Sequence, residues 1–191
     1  VKARRESQNT QSLGNPDCKD CGLWHSHDDA AIEIEVAELI SAFVRALQPD
    51  LVIETGCYRG HTTKLIGRAL QRNGHGRLVA IDNERKRVRI TRRRCVGLPV
   101  QVHWGNSLDW LPQKEETIEF ALFDTPFEHR RREFEHLHPY CNKWTVVCWH
   151  DTGLHFPDPL RPDIEDMAKQ GYIQPLFLPT PRGICFARVL K

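Results

Sequence analysis

The sequence lacks the features that would place it in a membrane, a secretory route or a fibrous assembly. No apolar run approaches the ~20 residues needed to span a bilayer. The opening stretch from Val1 to Gln11 is polar and has no apolar h-region, so no secretory signal is expected. It also lacks an initiator methionine, and the natural N-terminus is expected to lie upstream. Repeats and low-complexity tracts are missing. So is a strong charge of one sign: 27 Lys and Arg against 25 Asp and Glu leave a formal net charge of +2, too small to demand a polyanionic partner. An even set of cysteines is absent as well. There are seven, five of them scattered through strand-like and helix-like segments, which suits reduced, buried thiols better than a disulfide framework. A soluble, cytoplasmic protein is expected.

What is present is material for a core. The 191 residues suit one domain, and 40% of them are apolar, too many for a disordered chain. Residues 1–28 are polar and read as an arm, poised to cover an active site; residues 29–191 carry the periodic pattern. Ala31, Ile34, Val36, Leu39, Ile40, Phe43, Val44 and Leu47 recur at helical spacing, ended by Pro49-Asp50. Strands are then expected at 51–54, 78–81, 100–104, 118–123, 145–149, 172–178 and 184–190, with helices at 62–72, 84–95, 128–137 and 162–170. Strands alternating with helices imply an α/β fold: a doubly wound, mostly parallel seven-stranded sheet covered on both faces. The last two strands are joined only by Pro179–Gly183. A parallel crossover needs a dozen or more residues, so these two form a C-terminal antiparallel hairpin.

The first strand runs into Glu54-Thr-Gly56-Cys57-Tyr58-Arg-Gly60-His-Thr-Thr63, and a helix begins just beyond. Glycines after a buried strand let a ligand approach the main chain, and the helix start offers unpaired N–H groups. The second strand ends in Asp82-Asn83, where an acid can accept hydrogen bonds from a ribose diol. Glycine loop, helix and acid-tipped strand together are more specific than any one of them.

Leu51–Thr63 resembles the first motif of class I S-adenosylmethionine-dependent methyltransferases, especially the small O-methyltransferase-like branch. Leu78–Asp82 resembles the second motif, and Gly105-Asn106-Ser107 the loop that touches adenine, with Asn106 where many members have Asp. The resemblance covers about residues 30–190. It implies a Rossmann-like methyltransferase fold and S-adenosylmethionine as cofactor, held by Glu54, Gly56, Cys57, Tyr58, Gly60, Asp82, Asn83, Asn106, Ser107 and Asp124. Glu54 would lie near the methionine end. A nicotinamide-binding domain would prefer G-x-G-x-x-G to the G-x-x-x-G found here, and the chain leaves no room for a separate substrate domain.

Two further strand ends carry acids: Ile118–Phe123 leads to Asp124 and on to His129, and Thr145–Trp149 leads to His150-Asp151. Adjacent parallel strands lie ~4.8 Å apart, so these residues are expected to converge at the carboxyl edge of the sheet. Two chemistries stay open. Asp124, His150 and Asp151 would hold a divalent cation, Mg²⁺ or a softer one, that lowers the pKa of an acceptor hydroxyl. Alternatively, His150 or His129 would act as general base.

Two other signals stand apart. Cys18, Cys21, His25 and His27 have the residue types of a zinc site, with spacing tighter than usual. Lys86–Arg94 is a basic run on a helix, read as a solvated face or a nucleic-acid footprint. The expected activity is methyl transfer to a small-molecule hydroxyl. A nucleic-acid acceptor, and a cofactor-binding domain without turnover, are the alternatives. No membrane partner is expected, and homo-oligomerisation stays open.

Overall fold

A computed structural model describes residues 8–9, 15–110, 112, 115–157 and 159–191. Short strands β1 (Gln8–Asn9) and β2 (His25–Ser26) pair antiparallel within the N-terminal segment. The remaining elements follow in chain order: α1 (Ile34–Leu47), β3 (Leu51–Thr55), α2 (His61–Asn73), β4 (Arg77–Asp82), α3 (Arg85–Arg94), β5 (Val100–Trp104), β6 (Ile118–Phe123), α4 (Phe127–Leu137), β7 (Cys141–His150), α5 (Arg161–Lys169), β8 (Ile173–Leu178) and β9 (Ile184–Val189).

The seven-stranded sheet has the order β5-β4-β3-β6-β7-β9-β8. β3, β4, β5, β6 and β7 pair in parallel, while β9 runs antiparallel to both β7 and β8. The expected doubly wound sheet and terminal hairpin are therefore both present, and the hairpin folds back so that its second strand is the inner one.

The strands are apolar throughout because both faces are covered. Every residue of β3 is buried. Successive side chains point to opposite faces. Val52 packs with Val36, Ile40 and Val44 of α1, Ile66 and Leu70 of α2, and Val88 of α3. Leu51 and Ile53 belong to the core on the other face, which includes Phe134 and Leu137 of α4 and Ile164 and Met167 of α5. The result is three layers with two cores.

Two boundaries differ from the sequence pattern by more than one residue. β7 begins at Cys141, ahead of Thr145. Its pairing with β6 jumps from Ile118↔Cys141 to Phe120↔Val146, so the polar stretch Asn142–Trp144 bulges out. Side chains close the bulge: Thr145 Oγ1 accepts the Asn142 N–H at 2.9 Å, and Asn142 Oδ1 accepts the Trp144 N–H at 2.8 Å. No apolar alternation marks such a segment. Likewise α1 starts at Ile34, while Ala31 and Ile32 are buried ahead of the helix.

Five of the cysteines are buried and no disulfide joins any of the seven. Among the described residues, no helix is long and apolar enough to cross a membrane.

Candidate active site

The carboxyl ends of β3, β4 and β6 meet where the sheet order reverses, the usual place for a ligand crevice in such folds. A cleft of about 500 Å³ opens there, lined by Gly56, Tyr58, Asp82, Asn83, Asn106, Ser107 and Asp124 among others. Seven of the expected cofactor residues thus share one cavity, of a size typical for small-molecule sites.

The loop after β3 is bent by backbone conformation. Gly56 has φ of 81°, and a Cβ there would overlap the main-chain oxygen of Asp124, so only glycine lets the β6–α4 loop pass. Gly60, at φ 74°, would bring a Cβ within 2.6 Å of Thr91 Cγ2. Tyr58 also takes a positive φ, 46°. Asp82 holds this strained turn in place. Its Oδ2 accepts the Tyr58 N–H at 2.9 Å and its Oδ1 accepts the Glu84 N–H at 2.8 Å. Each oxygen keeps a second lone pair for a ligand hydroxyl. Burial raises the Asp82 pKa against those two N–H groups.

Glu54 and Cys57 lie deeper. Together with Gly56, Tyr58, Gly60, His61 and Asp124 they line a narrow second pocket of about 20 Å³. Glu54 Oε2 is buried and has no hydrogen-bond partner. Burial, only partly offset by the Thr63 hydroxyl and reinforced by the charges of Asp124 and Asp82, pushes the Glu54 carboxyl up to about 8. An unpaired buried carboxylate is costly, and a ligand cation would relieve it. The cavity, the glycine bend and this orphaned oxygen together fit the amino-acid end of an adenosyl sulfonium cofactor.

On the far side of the cleft, Asp124, His150 and Asp151 converge as expected: one ligand atom from each lies within 4.8 Å of the others. Their other contacts are already taken. Arg130 Nη2 lies 3.2 Å from Asp124 Oδ1 and 2.9 Å from Asp151 Oδ2. Arg130 also donates to the carbonyls of Thr125 and His150. Arg182 Nε lies 2.6 Å from Asp151 Oδ1, an ion contact off the hydrogen-bond direction. His150 Nδ1 is 3.3 Å from Asp124 Oδ1 and 3.2 Å from Asp151 Oδ1, and its Nε2 is 2.8 Å from Glu33 Oε2.

This environment decides how His150 behaves. Burial opposes its charge, but Asp151, Asp124 and Glu33 outweigh that and push it up to about 10. Burial likewise opposes ionisation of Asp151, yet His150, Arg130 and Arg182 hold it down at about 2. His150 is fully enclosed and does not line the cleft. A sealed imidazolium cannot take a proton from an acceptor, which removes the support for His150 as general base. His129 is better placed: it lines the cleft, and its Nδ1 is buried without a hydrogen-bond partner.

A divalent ion does not fit the trio in this arrangement, because guanidinium groups already face both Asp151 oxygens and Asp124 Oδ1. The expected zinc set is not assembled either. His25 Nδ1 turns to Glu35 Oε1 at 2.9 Å, and the His27 ring stacks on His61 at 3.8 Å. Burial and the neighbouring Cys21 thiol raise the Cys18 thiol to about 11. Among the described residues, Asp124, His150 and Asp151 are the one trio of potential metal ligands.

Four residues of the site escape sequence reasoning. Glu33, Arg130 and Arg182 form the ion network. Glu133, nearly fully buried, accepts hydroxyl hydrogen bonds from Thr55 at 2.9 Å, Thr125 at 2.8 Å and Ser107, tying three cleft-lining segments together. A signal for Glu33 existed: it continues the buried stripe of Val36, Ala37, Ile40 and Val44 at helical spacing.

The family model described as a methyltransferase domain matches residues 53–152. Comparison with curated proteins finds no match. Among solved structures, the O-methyltransferase TomG from Streptomyces achromogenes, in complex with SAM, is 20% identical with a TM-score of 0.73, over 85% of this chain and 83% of its own. An O-methyltransferase from Bacillus cereus, in complex with SAH, is also 20% identical with a TM-score of 0.73, over 85% and 84%. The SAH-bound methyltransferase PaMTH1 from Podospora anserina is 14% identical with a TM-score of 0.72, over 85% and 81%.

Proposed function

From the premise that the chain belongs to the methyltransferase-domain family, we propose that it transfers the methyl group of S-adenosylmethionine to a hydroxyl oxygen of a small molecule. The observation that carries this reading is the buried, unpartnered Glu54 oxygen beneath the glycine bend, in a pocket sharing Gly56, Tyr58 and Asp124 with the larger cleft. In that reading Glu54 faces the cofactor's ammonium group, Asp82 takes the ribose hydroxyls, and Asn106 and Ser107 flank the adenine. Bound S-adenosylmethionine supplies an electrophilic methyl group on a sulfonium. The chain's part is alignment and a deprotonated acceptor. His129 is the proposed base, and Phe127 and Phe156, at 5.2 Å between ring centroids, form an apolar wall on that side of the cleft.

The N-terminal segment supports a covering role. Its last residue is tied to the loop beside the cleft: Tyr58 donates to Asp28 Oδ2 at 3.4 Å, and Arg59 pairs with the same carboxylate oxygen at 3.2 Å. Buried thiols without disulfides support a reducing, cytoplasmic setting.

Calorimetry with the purified protein tests the cofactor assignment. Micromolar binding of S-adenosylmethionine or its demethylated product is expected; a folded protein that binds neither removes it. One observation favours a second acceptor class. Arg85, Lys86, Arg89, Arg92 and Arg93 form an exposed basic stripe on α3, and Arg85 stacks over the exposed ring of Trp104. A nucleic-acid acceptor would show as activity on RNA or DNA that falls steeply with added salt.

A further inference from the structure

The acid pair Asp124 and Asp151 is gripped from two directions. Arg130 comes from the first turns of α4, and Arg182 from the turn between β8 and β9. Both guanidiniums are anchored elsewhere too. Arg130 donates to Thr125 and His150 carbonyls and lies 4.8 Å over the Phe127 ring. Arg182 Nη1 donates to the Asp29 carbonyl at 3.3 Å and the Ala31 carbonyl at 3.4 Å. These contacts hold two cations against two carboxylates.

A hard divalent ion needs several oxygen lone pairs aimed at one point. Here both oxygens of Asp151 face a guanidinium, and Asp124 Oδ1 is shared between Arg130 and His150. Charge leads to the same end. Even with a neutral imidazole, Arg130 and Arg182 leave the three acids Glu33, Asp124 and Asp151 with a single net negative charge. An added dication would overshoot it while lying beside two like charges.

We propose that Arg130 and Arg182 take the place of a divalent cation between Asp124 and Asp151, making the site metal-independent and leaving Arg182 as the cation that positions the acceptor. Arg182 suits that role because it lines the cleft and is less enclosed than Arg130, with 14% against 4% of its side chain exposed. The positioning part of the inference rests on the proposed function; the absence of a metal site does not.

Electron paramagnetic resonance of added Mn²⁺ tests it on the whole protein. The wild type is expected to leave the signal of free Mn²⁺ at full amplitude up to millimolar metal. Arg182→Gln, and Arg130→Gln with Arg182→Gln, should take up Mn²⁺ and lose that uptake again when Asp151→Asn is added. Stoichiometric uptake by the wild type, abolished by Asp151→Asn, overturns the proposal. So does a double variant that keeps a cooperative melt yet takes up no Mn²⁺. If the double variant fails to fold, Arg182→Gln alone decides by the same criterion. Calorimetry with S-adenosylmethionine on the same samples separates the two readings. A wild type that binds neither cofactor nor Mn²⁺ strikes the proposed function and leaves the metal-free site standing.

Discussion

Replacing Glu33 with Gln probes the buried ion network with almost no change in shape. Glu33 is fully buried, its Oε2 faces His150 Nε2 at 2.8 Å, and its Oε1 accepts the Arg182 N–H at 3.1 Å. Gln keeps the second bond through its carbonyl oxygen. The first is lost, because an amide NH₂ then meets a protonated ring nitrogen. Breaking one side of a buried pair costs about 3–5 kcal/mol. For a domain of this length that lowers Tm by roughly 10 °C. The pH dependence identifies the cause. His150 is raised to about 10 in the folded state, so its charge stabilises the fold in full below the unfolded value of ~6.5 and the contribution is lost as pH rises through about 10. The penalty of Glu33→Gln should therefore be large at pH 7 and should shrink towards pH 10. Urea melts of both proteins at the two pH values measure it. A penalty below about 1 kcal/mol at pH 7, or one equal at both pH values, refutes the charged network.

Gly56→Ala places a side chain against the Asp124 carbonyl at a positive φ, and should cost at least about 2 kcal/mol of stability as well as cofactor binding, read by thermal melts and calorimetry. Glu54→Gln should weaken S-adenosylmethionine binding about tenfold or more. In the wild type, affinity should climb as pH rises to about 8, where Glu54 ionises, and that acid limb should vanish in the variant. His129→Gln should lower kcat about 10²-fold or more with little change in cofactor affinity, whereas unchanged turnover would exclude it as the base.

Periodicity alone marked the alternating elements, because a strand buried on both faces and an amphipathic helix leave different repeats in the chain. Local chemistry marked the cofactor end: Gly56, Gly60 and Asp82 all act within a short span joined by two adjacent strands. The ion network was not legible. Arg130, Arg131 and Arg132 are alike as a string, yet only Arg130 turns inward to Asp124 and Asp151, while Arg131 pairs with Glu135, Asp163 and Asp166 and Arg132 is exposed. Successive helix positions point about 100° apart, so the packing of α4 on the sheet selects which one is buried. Glu33 meets His150, and Arg182 meets Asp151, across long sequence separations set by the strand order. Local pattern determined the sheet and the loop that bends against it. Which side chains meet two acids at neighbouring strand tips was decided by the tertiary structure, because buried charges must be balanced by whichever opposite charges the fold brings beside them.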